Sequence, residues 1–246
     1  MIFGAILAGG TGSRMNIENM PKQFLPLGTK PVFVHTVEKF LAISDFDLIY
    51  IGVHPQWTAF AQDILHQHGI CDGVEILEGG EDRNATIMNI VAHIRSNHGV
   101  DAKHVVVTHD SVRPFVRLTT IKDNIVMAQK YGACDTVVPA IDTIVASEDG
   151  KQVSDIPKRE YMHQGQTPQS FNVEKLYHAY QNLSEDDLST LTDACKIMLL
   201  QGEPVYLVSG DVTNIKLTTI MDYKIAQALI DTPEKETPKG KSSHAQ

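Results

Sequence analysis

The 246-residue chain is 42% hydrophobic and 21% charged, an ordinary globular composition with enough apolar content to bury one sizeable core. Twenty-one Lys and Arg against thirty Asp and Glu give a formal net charge of −9, which argues against a broad footprint for nucleic acid or an anionic membrane, so any phosphate chemistry must use locally placed cations. Cys71, Cys134 and Cys195 are far apart and odd in number, no apolar run approaches the roughly 20 residues of a membrane span, and Met1-Ile2-Phe3-Gly4 lacks the charged start of a secretory signal. A cytoplasmic protein without disulfides, zinc fingers or membrane insertion is expected.

Apolar runs of strand length alternate with amphipathic stretches of helix length, the pattern of βαβ units around a mainly parallel sheet. A strand over 2–8 leads into Leu7-Ala8-Gly9-Gly10-Thr11-Gly12-Ser13-Arg14, a glycine-rich turn at the carboxyl end of a strand, where α/β folds bind ligands. Glycines let backbone N–H groups converge on an anion, and Arg14 adds a planar fork of donors. The P-loop spelling is absent, and a dinucleotide fingerprint read from Gly10 puts Met15 at its third glycine. A tight turn with an unimportant surface arginine is the plainer reading of this segment alone. Downstream, Met20-Pro21-Lys22-Gln23-Phe24-Leu25-Pro26 sets two prolines around a lysine that can return to the same loop and complete a cationic cluster suited to a triphosphate.

Continuing along the chain, the periodicity predicts helices over 32–43 and 58–68 around a strand over 48–54, then a strand over 74–78 and a helix over 85–97. A strand over 104–109, a helix over 120–131 and a strand over 136–141 follow. Residues 142–159 break the alternation: Thr143-Ile144-Val145 and Val153 flank the turn signal Glu148-Asp149-Gly150, which reads as a β-hairpin arm. An inserted hairpin has exposed edges, so a second copy of the chain is expected to cover it, making a homodimer; a solvent-exposed flap is the other reading. Helices over 173–181, 192–201 and 220–230 and a strand over 205–209 complete a single domain at 1–230, and the polar 231–246 tail is expected to be disordered.

Six motifs in order, LAGGTGSRM with MPKQF, GGEDRNAT from Gly79, THDSVRPF from Thr108, IDTI from Ile141, QGQTPQSF from Gln164 and NIKLT from Asn214, resemble the nucleotidyltransferase family that makes CDP-alcohols, the methylerythritol phosphate and ribitol-5-phosphate cytidylyltransferases. The resemblance implies a Rossmann-like three-layer α/β sandwich of nucleotidyltransferase type. Ser111 and Val112 stand where the methylerythritol branch has two alanines, and no tryptophan precedes Thr167-Pro168-Gln169, so the spelling is similar to the ribitol-5-phosphate branch.

That resemblance implies CTP plus D-ribitol 5-phosphate giving CDP-ribitol and pyrophosphate, used for teichoic acid, with a ribulose-5-phosphate reductase as functional partner. Arg14 and Lys22 would stabilise the pentacoordinate phosphorus, and Arg159 and Lys216 would hold the acceptor phosphate. CTP would lie among Leu7, Ala8, Gly9 and Gly10 of the first loop, Gly80, Glu81, Asp82, Arg83, Asn84, Ala85 and Thr86 of the second, and Ser111. Asp110, Thr143, Arg159, Thr192 and Lys216 would meet the polyol phosphate, and Asp110 would orient Mg²⁺ directly or through water; a turn cap is the plainer role for Asp110. A phosphate monoester is already largely dianionic at neutral pH, so no base is needed to activate it. Methylerythritol phosphate is the rival acceptor, and a non-catalytic nucleotide-binding protein is the rival of another class.

The eleven histidines follow no zinc spacing, Trp57 reads as a packing residue, and Ile87, Met88, Ile90, Val91 and Ile94 fall on one helical face as core.

Overall fold

The structure, a computed structural model, describes residues 1–10 and 20–231. Arg14 and the tail beyond Asp231 lie outside the described residues. The all-apolar run of β1 (Ile2–Ala8) is buried on both faces, as a central parallel strand requires. β4 (Leu48–Val53) pairs with it on one side and β6 (Val105–Asp110) on the other, both parallel. With β5 (Val74–Glu78), β7 (Ala133–Pro139), β8 (His163–Asn172) and β9 (Tyr206–Ser209), the seven-stranded sheet runs β5-β4-β1-β6-β8-β7-β9. Within it β8 runs antiparallel to both β6 and β7. β2 (Pro26–Leu27) and β3 (Lys30–Pro31) form a small separate ribbon.

Helices cover both faces, giving the expected three layers. α1 (Val32–Leu41), α2 (Thr58–Gln67) and α4 (Leu118–Tyr131) bury Phe33, Val37, Phe40, Ile64, Ile121 and Ile125 on one face. α3 (Arg83–His98), α5 (Val173–Gln181) and α7 (Ala194–Leu200) bury Ile87, Ile90, Ile94, Leu176 and Ile197 on the other. The short α6 (Glu185–Ser189) lies between α5 and α7, and α8 (Ile220–Ile230) sets Ala226 against Leu27, Val32, Val112 and Leu217. Trp57 packs with Phe24 and Phe60, ring centroids 5.7 and 5.6 Å away. The chain leaves β1 toward β4 and later returns to β6 on the opposite side, so the switch point of the sheet opens at the carboxyl ends of β1 and β6.

Four local expectations change. β8 was not anticipated, because its buried residues include Gln166, Thr167, Gln169 and Ser170, and Pro168 has no N–H to give a ladder. The β7–β8 register shifts between Asp135 and Val137, an irregularity that accommodates that proline. β7 starts three residues earlier than 136 because Gly132, at φ 94°, ends α4 directly before it. Asp193, which caps α7, leaves Thr192 outside the helix. The arm is reduced to one antiparallel bridge, Ala146 to Asp155, with Asp149 Oδ1 accepting from the N–H groups of Lys151 and Gln152 at 2.8 and 2.9 Å; Thr143, Ile144 and Val145 are not strand.

Close packing of β4 on α3 depends on Gly52, where a Cβ would stand 2.4 Å from Thr86 Cγ2. Gly52→Ala is expected to destabilise the fold by about 1–3 kcal/mol, the scale of overpacking. Adding Thr86→Ser, which removes the offending methyl, should recover most of the melting temperature.

Candidate active site

A cleft of about 570 Å³ opens at the switch point. On its β1 side, Leu7, Gly9 and Gly10 line the wall, while Ala8 is buried behind it. Gln23 braces this loop from below: its buried amide donates to the carbonyls of Ala8 and Gly10, both at 2.8 Å. The 3-10 turn at Lys22–Phe24 thereby brings Lys22 into the cleft wall. His54 and Pro55, at the end of β4, add to the lining, and no signal in the histidine spacing distinguished His54 from the other ten.

The opposite wall is the turn into α3. Asp82 caps that helix, its Oδ1 accepting from Ala85 N at 2.7 Å. Thr86 Oγ1 accepts from Gly80 N at 3.0 Å and donates to Asp82 O at 2.9 Å, closing the turn on itself. Gly80 is required here because a Cβ would meet Ala85 Cβ at 2.5 Å. The free N–H groups at the start of this 16-residue helix and its macrodipole favour an anion. Gly79, Gly80, Glu81, Asp82, Arg83 and Thr86 line the cleft; Asn84 and Ala85 do not, Asn84 being buried and Ala85 lying under Gly80.

Between the walls, at the end of β6, Asp110 is buried among cations. Its Oδ1 accepts from Arg83 Nε at 3.2 Å and its Oδ2 from Lys216 Nζ at 2.8 Å, with Arg113 Nε 3.7 Å from Oδ2. Burial by itself pushes the carboxyl up, but Arg83, Lys216 and Arg113 outweigh it and hold the group well below the usual carboxylate range. Neighbours fix the main chain as well. Asp110 N donates to Thr167 Oγ1 at 3.2 Å, and Thr167 Oγ1 lies 2.9 Å from His109 Nδ1. His109 Nε2 faces the carbonyl of Arg113 at 3.1 Å, so that nitrogen carries the proton and Nδ1 accepts from the Thr167 hydroxyl. Burial pulls the His109 imidazole down to about 4, so it is neutral at pH 7. Thr219 caps α8, and Asp222, its capping-box partner, accepts from Thr218 N at 3.0 Å, which anchors the loop carrying Lys216.

A converging glycine loop, a helix N-terminus and a cation cluster around one carboxylate fit phosphoryl transfer, and comparison with known proteins decides the class. The family model described as IspD, 2-C-methyl-D-erythritol 4-phosphate cytidylyltransferase, matches residues 2–232. The chain belongs to this family. Among solved structures similar to it, the 4-diphosphocytidyl-2C-methyl-D-erythritol synthase of Anaerococcus prevotii is 25% identical with a TM-score of 0.77, over 94% of this chain and 96% of that one. Another 4-diphosphocytidyl-2C-methyl-D-erythritol synthase is 26% identical with a TM-score of 0.76, over 94% and 99%. The 2-C-methyl-D-erythritol 4-phosphate cytidylyltransferase of Thermus thermophilus is 25% identical with a TM-score of 0.70, over 94% and 100%. No helix among the described residues is long and apolar enough to cross a membrane.

In this cytidylyltransferase, Lys22, Arg83, Asp110, Ser111 and Lys216 come together as expected, and three of the expected acceptor residues do not join them within one protomer. Arg159 is exposed in the 3-10 turn after the arm, donating to Ile141 O at 3.0 Å; Thr143 is exposed on the arm, and Thr192 is exposed just before the Asp193 cap. Both carboxylate oxygens of Asp110, the expected Mg²⁺-orienting residue, accept from cations in this arrangement, each with a further lone-pair site. Among the described residues no group of three or more His, Cys, Asp and Glu is arranged to hold a metal ion.

Arg113 and Gln169 emerge only from the folded chain. Arg113 Nη1 donates to Asn214 O at 2.7 Å, and Arg83 Nη2 donates to Gln169 Oε1 at 3.1 Å. Their motifs were visible, but nothing in the spacing marked these members. Behind Gln169 lies Asp135, whose carboxyl burial pushes up to about 6. The folded chain therefore binds a proton more tightly than the unfolded chain, and stability falls as pH rises from about 4 through 6. Asp135→Asn should accordingly melt higher than the parent at pH 7, with the gain vanishing toward pH 4 in melts recorded across that range.

Proposed function

We propose that this cytidylyltransferase moves the cytidylyl group of CTP onto D-ribitol 5-phosphate, giving CDP-ribitol and pyrophosphate. The observation that carries nucleotidyl transfer is the meeting of Lys22, Arg83 and Lys216 with the α3 N-terminus in one cleft of a chain whose net charge is −9. The acceptor is read from Ser111 and Val112, which line that cleft in place of two alanines, and from the tryptophan-free approach to Thr167. A second reading, 2-C-methyl-D-erythritol 4-phosphate as acceptor, is favoured by the family model and the solved structures.

The chemistry follows from charge. The acceptor phosphate, dianionic above its second pKa of about 6, attacks the α-phosphorus in line and pyrophosphate leaves without a covalent enzyme intermediate. Negative charge gathers on the α-phosphoryl oxygens and the leaving group, and preorganised cations are the efficient answer. Lys22 and Arg14 serve the transferring phosphorus in this reading, and Lys216 the acceptor phosphate. Lys22→Ala should lower kcat by roughly 10²–10³ in a folded protein, the scale for losing one such donor. Pyrophosphate release with the two polyol phosphates in parallel tests the acceptor: a higher kcat/KM for ribitol 5-phosphate supports the first reading, and the reverse order replaces it with the second.

The exposed Arg159 and Thr143 acquire a role if a second copy places its arm over the cleft. Ile141, Val145, Val153 and Ile156 are more than half exposed on the arm, an apolar strip suited to burial against another protomer. In such a homodimer, Lys22→Ala and Arg159→Ala proteins, each inactive alone, should on mixing and re-equilibration recover roughly a quarter of parental activity, the statistical share of restored sites. No recovery, with elution at monomer mass, would remove the composite site. A reductase acting on ribulose 5-phosphate is the matching upstream partner.

A further inference from the structure

Across the α3 side of the sheet, a line of polar side chains leads from the cleft toward the outer strands, and the reaction drawn above uses only its first two members. Asp110 accepts from Arg83 Nε, and Arg83 Nη2 donates to Gln169 Oε1 at 3.1 Å. Gln169 Nε2 then donates to Asp135 Oδ1 at 3.0 Å and to Asp193 Oδ1 and Oδ2 at 2.9 and 2.7 Å. Gln169 is buried on β8, opposite Asp135 of β7 and Thr108 of β6, and Thr108 Oγ1 holds its carbonyl at 2.9 Å. Asp193 is fixed in turn by capping α7, accepting from Cys195 N at 2.8 Å.

A carboxamide has the same shape in both orientations and opposite chemistry in each. Here one orientation pairs every donor with an acceptor. Turning the amide over would set its oxygen against two carboxylates and its N–H groups against the Arg83 guanidinium. The two acids therefore determine which end of Gln169 faces Arg83. Arg83 needs that contact: its buried Nη1 has no hydrogen-bond partner, so its guanidinium is held from Nε by Asp110 and from Nη2 by Gln169. A planar group held at two points has a set direction, and one held at a single point pivots.

We propose that Gln169 is a positioning residue: with its amide oriented by Asp135 and Asp193, it aims Arg83 at Asp110, so that Asp110 and Lys216 stand in the geometry that receives the acceptor phosphate. Gln169 touches no substrate in this scheme and acts through Arg83. The inference rests on the acceptor reading above, so its test includes a measurement that needs no turnover.

Three variants are compared with the parent: Gln169→Met, which keeps length without polar groups, Asp193→Asn, which preserves the α7 cap, and Asp135→Asn combined with Asp193→Asn. In Gln169→Met the acceptor KM should rise about tenfold or more, the scale for one hydrogen bond to a charged group, with a clearly smaller rise in the CTP dissociation constant, since Arg83 also lines the nucleotide side of the cleft. Asp193→Asn alone should stay near the parent because Asp135 still orients the amide. The double variant should reproduce the rise, since neither end of the amide is then dictated. Independently of activity, the ¹⁵N resonance of Arg83 Nε–H should be protected from exchange in the parent and lost in Gln169→Met. A lower melting temperature with unchanged acceptor KM, equal change in both substrate constants, or a retained Arg83 signal would overturn the positioning role. If the parent turns over neither polyol phosphate, the acceptor reading fails, and the Arg83 signal alone decides the role of Gln169.

Discussion

Everything at the cleft is arranged around one buried carboxylate. An isolated aspartate in an apolar interior would take up a proton rather than remain charged. Asp110 stays ionised because Arg83, Lys216 and Arg113 reach it from three separate parts of the chain. That requirement joins the start of α3 to the turn after β6 and the loop before α8, the latter two being tied as well by Arg113 Nη1 to Asn214 O and Leu217 N to Val112 O. Each is secured from behind by a different device. Asp82 caps α3, His109 and Thr167 pin the Asp110 main chain, and Asp222 ties down the Lys216 loop. Removing one partner from such a cluster leaves a buried charge uncompensated, so its parts are not independent.

The layered fold was legible where burial is simple. β1 and β4 are apolar runs bounded by turn residues, β6 opens with Val105, Val106 and Val107, and α1, with a buried stripe of Phe33, Val37 and Phe40, shows the period of a helix packed on one side. β8 was not legible because its buried positions are filled by side chains that a sequence reading assigns to surface loops. Gln166, Thr167, Gln169 and Ser170 are tolerated inside only because each finds a partner distant in sequence: Asp211 for Gln166, His109 for Thr167, Asp193 for Gln169 and Asn124 for Ser170. Periodicity reports hydrophobic burial, and this strand is buried by polar complementarity instead.

The same distinction separates the parts of the site. The first glycine turn and Lys22 stand in short motifs whose local chemistry points to an anion, Asp110 and Lys216 in motifs that only the family resemblance marked, and folding gathers all of them in one cleft. Arg113 and Gln169 sit in equally short motifs, but what they do is set by Asn214, Asp135 and Asp193, which no spacing connects to them. Arg159 and Thr143 show the reverse case. The resemblance assigned both to the acceptor site, yet within one protomer they lie outside the cleft.

A chain with nine more acids than bases must still present a cationic surface to a triphosphate. A surplus confined to one cluster achieves this: Arg83, Arg113 and Lys216 surround the single acid Asp110, while Lys22 lines the same cleft together with Glu81 and Asp82. Asp110 has two effects on that surplus. It lowers the mutual repulsion of the cations when no anion is present, and it holds Lys216 Nζ at a hydrogen-bonding distance of 2.8 Å from an oxygen. An arriving phosphate oxygen then competes for a donor that is already oriented. The ordering of that side chain belongs to folding, and correspondingly less of it remains to be done when substrate binds.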